Sequence, residues 1–512
     1  MQTRTEPATA LCRRAARASL LALALAGLVA CGSGGGDDDE PAGAPNDGTE
    51  PPRGTFVGTP TNPPTETPPE SPPASGGDLT PPDDGELPRV DLRTNDQAYP
   101  YRPDSPFADV LLGCAVLDDD QDIEAVIESS CSLETLPFIA QDAPDPSIDD
   151  VMNRVLVTHD WMGERLEEVL RTSPPELVRM FGSVTSILIG SEVRPANYWP
   201  VTGAIQLDPI YLWTSVAEKQ NVSELEDFRS TFGQKLAMRF LSSMRIDGRP
   251  AVTASFNLVD RSVRTLEDIV LPLSNLLFHE LAHANDFLPP GMAGGLDRSM
   301  KPVDALVSIE NDWLSPQLAG ENGSMPLNST LLIDLAQVRF RGIEPTEEQR
   351  AVTADVAGAE MANDGSTHFY SYSTIREDFA NLVETAMLKR HYDVDLHVGF
   401  TNQPADFDNF FCDELLVGWG ERNRLGDPSV SARAKRAVED ILGASGEFDA
   451  FFAEQAGTPT PMTVGVDWCT NRDGDGVAAK FADGTAAGTA IRERLVGELP
   501  MSHAARHALS GR

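Results

Sequence analysis

Apolar and polar positions divide the chain into a stretch that cannot fold, a strand-rich stretch and a helical one. From Gly32 to about Arg89 the residues are Gly, Pro, Asp and Thr with few apolar side chains, as in "TPTNPPTETPPESPPASGG". Such a segment buries too little surface to offset its chain entropy and reads as a flexible tether. Folded sequence begins near Val90. Apolar residues recur at helical spacing from Ser147 to Thr172, with Ser147 as N-cap, Asp149 and Asp150 in the first turn, and Pro174 and Pro175 beyond the end. "SVTSILIGSEV" (183–193) is short and β-branched and predicts a strand, and "GAIQLDPIYLW" (203–213) predicts a strand and turn. "AMRFLSSMRI" (237–246) and "AVTASFNLV" (251–259) also read as extended. From Ser262 onward the pattern is helical, with Pro272 expected in a first turn and Pro289 and Pro290 stopping the helix after Leu288. Further helices are expected over 345–362, 374–392 and 429–442. Strands followed by helices predict an α+β fold, a mixed sheet followed by mainly helical regions.

The N-terminus adds a targeting signal. Arg13, Arg14 and Arg17 precede the apolar run Ser19–Ala30, which is too short to span a bilayer as a mature helix. The run ends in Leu28-Val29-Ala30-Cys31 and resembles the lipobox of bacterial lipoproteins. That resemblance implies cleavage before Cys31, acylation of Cys31, and a lipid anchor holding the protein in the cell envelope, at the outer membrane or cell surface. The alternative is an ordinary secretory signal. The expected organisation is a signal over 1–30, the tether over 31–89, an N-terminal part over 90–260, a helical catalytic part over 261–470 and a tail over 471–512.

Cys12 leaves with the signal and Cys31 is taken by lipid, so Cys114, Cys131, Cys412 and Cys469 remain. An even number in an exported chain predicts disulfides. Pairing Cys114 with Cys131 and Cys412 with Cys469 costs least loop closure. No C-x-x-C spacing supports a zinc–thiolate site instead.

Charge narrows the function. Asp and Glu number 79 against 40 Lys and Arg, a net charge of −39, which disfavours nucleic acid as a partner. The informative motif is His279-Glu280-x-x-His283 in "LLFHELAHANDF". Residues four apart on a helix share a face, so one helix offers two imidazoles to one zinc ion, with Glu280 as general base. With eight histidines in the chain, the pattern arises by accident in about one such chain in a hundred. Asp286 and Pro289 replace the Gly and His of H-E-x-x-H-x-x-G-x-x-H enzymes, which excludes that class. Asp286 is better placed to support the ligands than to join them.

A hydrolytic zinc site needs a third protein ligand. "THFYSYSTIREDFANLVETAMLKRHY" (367–392) offers Glu377 in the first turn of a helix whose Phe379, Leu382, Val383 and Met387 form a buried stripe. Glu377, Asn381 and Glu384 share a face, and an inward carboxylate there needs a cation. Asp378 reads as an ordinary first-turn acid.

These two segments, about 45 residues in all, resemble the gluzincin class of zinc peptidases, in particular the catalytic domain of anthrax lethal factor and its relatives. The resemblance implies a zincin-like fold and a Zn2+-dependent peptidase. In it, His279, His283 and Glu377 hold the metal, Glu280 moves the proton, and Tyr370, seven residues before Glu377, steadies the oxyanion. Asp286 matches the family's trailing aspartate, and Asn381 stands where the family has a second glutamate, so both are expected to support the metal ligands. The 94-residue gap from His283 to Glu377 implies an insertion near 291–344. Tyr372 competes with Tyr370, and His368 is either a further oxyanion donor or a solvated loop histidine. The expected substrate is a peptide or protein, whose extended backbone would pair with Ala204–Leu207 as an edge strand. Rival readings are a surface lipoprotein with a structural zinc closed by a side chain such as Asp286, and a cell-wall peptide hydrolase. "NRDGDG" (471–476) resembles the start of a calcium loop, but Ala482 stands at its twelfth position, and a polar turn is the alternative.

Overall fold

The computed structural model describes residues 87–117, 122–224, 232–405 and 410–473. The signal, Cys31, all but the last residues of the tether, and the chain beyond Asp473 lie outside the described residues. Among the described residues helices and strands are mixed, and the strands form two five-stranded sheets.

The first sheet comprises β1 (Tyr99–Pro100), β2 (Val155–Val157), β3 (Ile187–Ile189), β4 (Asn197–Trp199) and β5 (Ala204–Leu207), in the order β1-β2-β3-β5-β4. β2, β3 and β5 run parallel, with β1 and β4 antiparallel at the margins. Val155–Val157 and Ile187–Ile189 are buried throughout, as continuous apolar runs in a covered parallel sheet should be. The second sheet comprises β6 (Met238–Ile246), β7 (Arg249–Pro250), β8 (Asp395–Asn402), β9 (Val417–Arg422) and β10 (Thr460–Pro461), in the order β10-β9-β8-β6-β7 and antiparallel throughout. β6 pairs with β8 along eight residues, so chain on either side of the histidine motif builds one sheet.

The helices used below are α1 (Asp160–Thr172), α2 (Leu266–Phe287), α3 (Leu314–Ala319), α4 (Thr330–Arg341), α5 (Ala354–Ala362), α6 (Ile375–Tyr392) and α7 (Pro428–Leu442). α2 begins at a capping box: Thr265 Oγ1 accepts from the Asp268 amide, and the Asp268 carboxylate accepts from the Thr265 amide at 2.7 Å. α6 packs along α2 and α7. Leu273, Leu277 and Leu281 of α2 share one core with Phe379, Leu382 and Val383 of α6. Burying each such side chain contributes about 1.5–3 kcal/mol, which fixes the relative position of the two helices. Two disulfides, Cys114–Cys131 and Cys412–Cys469, with Cα separations of 5.2 and 6.0 Å, follow the expected pairing.

Several expectations need correction. The expected helix over 147–172 is broken: a short helix Ile148–Met152 is followed by β2 and then α1. Val155-Leu156-Val157 fits helical spacing as well as a strand, and pairing with β3 decides it. Residues 251–259 form no strand. Pro272 lies inside α2, because the Thr265 cap starts the helix earlier. The helix expected over 345–362 is interrupted between Arg350 and Ala354. The C-terminal part is less helical than expected, since it carries β8, β9 and β10. Ala204–Leu207 is not an edge: β5 lies between β3 and β4, and the margin on that side is β4. Folded structure starts by Leu87, and Asn471 and Arg472, assigned to the tail, are buried.

Candidate metal centre

α2 and α6 place three donor atoms together. His279 Nε2 stands 3.2 Å from His283 Nε2 and 3.0 Å from Glu377 Oε2, and His283 Nε2 stands 3.4 Å from Glu377 Oε2. Nitrogen and carboxylate donors held at 2.0–2.1 Å around a tetrahedral ion stand about 3.3 Å apart. The triangle therefore fits one metal ion without rearrangement. Among the described residues, these three form the group of His, Cys, Asp or Glu side chains able to hold one.

The surroundings favour a cation. Glu280, Glu377 and Glu384 gather three carboxylates around two imidazoles, and Glu280 and Glu384 are buried. Burial opposes charge on His279, but Glu384 and Glu377 outweigh it and hold the imidazole pKa well above its usual value. Burial likewise raises the Glu377 carboxyl, yet His283 and His279 hold it well below the usual range. Burial pushes the Glu280 pKa up, against the two histidines and the nearby backbone amide of Tyr198, which favour its carboxylate form.

His279 Nδ1 lies 2.7 Å from Glu384 Oε2. With a metal bound, that bond would keep the proton on Nδ1 and leave the Nε2 lone pair for the ion. Glu384 is a candidate site residue that the sequence does not single out. Its spacing from Glu377 placed it on the right face, but its neighbours Val383 and Thr385 mark no site. Asn381 was expected to support the ligands; its amide instead donates to the backbone carbonyl of Glu377 at 2.6 Å, so Glu384 fills the supporting role one turn later.

Tyr370 and Tyr372 lie in one short 3-10 turn, Phe369–Tyr372, and face apart. The Tyr370 hydroxyl donates to Glu377 Oε1 at 2.9 Å, and its ring stacks near His279 and meets Phe340 of α4 at 4.9 Å. Tyr372 is buried and its hydroxyl turns to Asp364 at 3.4 Å. Tyr370 alone of the two reaches the triangle. His368 is a buried residue and no solvated loop histidine: Nδ1 accepts from the Tyr370 amide at 3.0 Å, its ring meets Phe240 at 4.6 Å, and burial depresses its pKa to about 3.

Asp286 is buried outside the triangle. It accepts from the Ser315 amide at 2.7 Å and pairs with Arg376. Asp378 is likewise no solvated first-turn acid; it is fully buried against Arg433 of α7. At Asn471 the side chain clips Thr463 and Val466, and Asp473 pairs with Arg245 and Arg472, so these oxygens already have partners. The rest of that segment lies outside the described residues.

Comparisons with family models, with curated proteins and with solved structures find no match.

Proposed function

We propose that the protein is a zinc-dependent peptidase of zincin type, exported and anchored to the cell envelope through Cys31. The observation that carries this reading is the His279–His283–Glu377 triangle with Glu280 on the same helix turn and Tyr370 at its rim. Zinc in that seat would supply Lewis acidity, acidifying water and polarising a peptide carbonyl.

Each remaining part falls to a side chain. Glu280, with its pKa raised by burial, is suited to take the proton of the attacking water at its carboxylate and pass it to the leaving amine. The Tyr370 hydroxyl, 2.9 Å from the outer oxygen of Glu377, is within reach of a developing oxyanion. Glu384 holds His279 in the productive tautomer. β4 is the last strand of its sheet and lies beside α2, with the Tyr198 amide close to Glu280, and an extended peptide is proposed to pair near that margin.

A structural zinc closed by Asp286 is the less favoured reading, because that carboxylate is already engaged by Ser315 and Arg376. Two disulfides suit an oxidising compartment. No described helix is long and apolar enough to cross a membrane, so the proposed membrane attachment rests on the lipid at Cys31. The test is metal analysis of the purified protein together with cleavage of a peptide library, beside Glu280→Gln. Zinc in both, with cleavage by the parent only, supports the reading; zinc in both and cleavage by neither counts against it.

A further inference from the structure

Glu377 is flanked by two buried ion pairs that run to different partners. Arg376 pairs with Asp286, on the last turn of α2, three residues beyond His283. Its guanidinium carbon lies 3.7 Å from the centre of the Phe287 ring and 4.7 Å from that of Trp313. Asp286 also accepts from the amide of Ser315, so α2, α3 and α6 meet at one carboxylate. On the other side of Glu377, Asp378 pairs with Arg433 of α7, whose Nη1 stands 3.0 Å from Asp378 Oδ1 and 2.8 Å from the Gly365 carbonyl.

Successive residues of a helix are rotated by about 100°, so Arg376 and Asp378 leave α6 on nearly opposite sides with Glu377 between them. The two ion pairs hold α6 from opposite sides of Glu377. The anchors are not equivalent. Arg376 ties Glu377 to the helix that carries His279 and His283, whereas Asp378 ties it to α7, which supplies no donor.

We propose that Arg376, through Asp286, is a positioning residue that sets the metal affinity of the centre by holding Glu377 in register with the two histidines. The Asp378–Arg433 pair serves the stability of the fold. This inference rests on the metal-site reading above. It also links the 291–344 segment to the centre, since Trp313 and Ser315 complete the Arg376 pocket.

The test compares Arg376→Gln, Arg376→Lys and Arg433→Gln in the full chain. Zinc affinity is measured by competition with a chelator, and the visible spectrum of the cobalt(II)-substituted protein reports ligand geometry. Arg376→Gln should weaken zinc binding about 10–100-fold, the range for losing a group that supports a metal ligand, and shift the cobalt spectrum. Arg376→Lys should recover part of both, and it carries the test alone if the Gln variant does not fold. Arg433→Gln should lower the melting temperature while leaving affinity and spectrum as in the parent. A parent that binds zinc, with Arg376 variants matching it or with the Arg376 and Arg433 variants equally impaired, overturns this inference alone. A parent that takes up no zinc overturns the metal-site reading and this inference together.

Discussion

Removing Glu384 should loosen the metal without touching a ligand. Its carboxylate is buried and sits 2.7 Å from His279 Nδ1, close enough for a charge-assisted hydrogen bond. Such a bond contributes about 1.5–3 kcal/mol net. At 1.4 kcal/mol per tenfold, its loss in Glu384→Ala corresponds to about 10–150-fold weaker zinc binding. Glu384→Gln keeps an acceptor oxygen but loses the charge, and neutral bonds are roughly half as strong, so its loss should be the square root of the alanine effect, about 3–12-fold. The assay is zinc competition with a chromophoric chelator at fixed pH, with circular dichroism confirming that each variant is folded. The graded order parent, Gln, Ala is the expected result. Alanine and parent proteins of equal affinity would show that His279 needs no orientation from Glu384, and the assigned tautomer would lose its support.

Tyr370→Phe should retain zinc and lose about 10²–10³-fold in kcat, the cost of one oxyanion donor. Tyr372→Phe, whose hydroxyl turns to Asp364, should leave kcat nearly unchanged; steady-state kinetics on one cleaved peptide separate the two. Gly358→Ala places a methyl 2.0 Å from Cβ of Trp419, where α5 packs on β9, and both sides are held by backbone. Overpacking of this kind costs about 1–3 kcal/mol, read as a lower urea midpoint. An unchanged midpoint would mean that α5 and β9 separate easily.

The two helices of the triangle were legible because their apolar stripes run for several turns, and Pro289 and Pro290 mark the end of α2. The histidine donors followed from their spacing on α2, and Glu377 from its place as an inward carboxylate on α6. Features set by tertiary pairing were not legible. Val155–Val157 carries no local mark that separates a strand from a helix turn, and its pairing with Ile187–Ile189 decides. The margin of the first sheet could not be read from Ala204–Leu207, because β4 is added outside it by a segment of three residues after Pro195. Asp286 and Asp378 look alike as helix-terminal acids, yet both are buried because arginines distant in sequence, Arg376 and Arg433, reach them. Burial of a charge depends on its partner, and the partner is set by the fold.

The central claim is that one zinc ion at His279, His283 and Glu377 makes this chain a peptidase with Glu280 as its base. The most direct measurement is zinc stoichiometry alongside peptide-library cleavage for the parent, Glu280→Gln and Glu377→Ala. The parent and Glu280→Gln should each hold one zinc per chain, only the parent should cleave, and Glu377→Ala should lose zinc. Full zinc occupancy in Glu377→Ala, or cleavage by Glu280→Gln at the parent's rate, would contradict the claim.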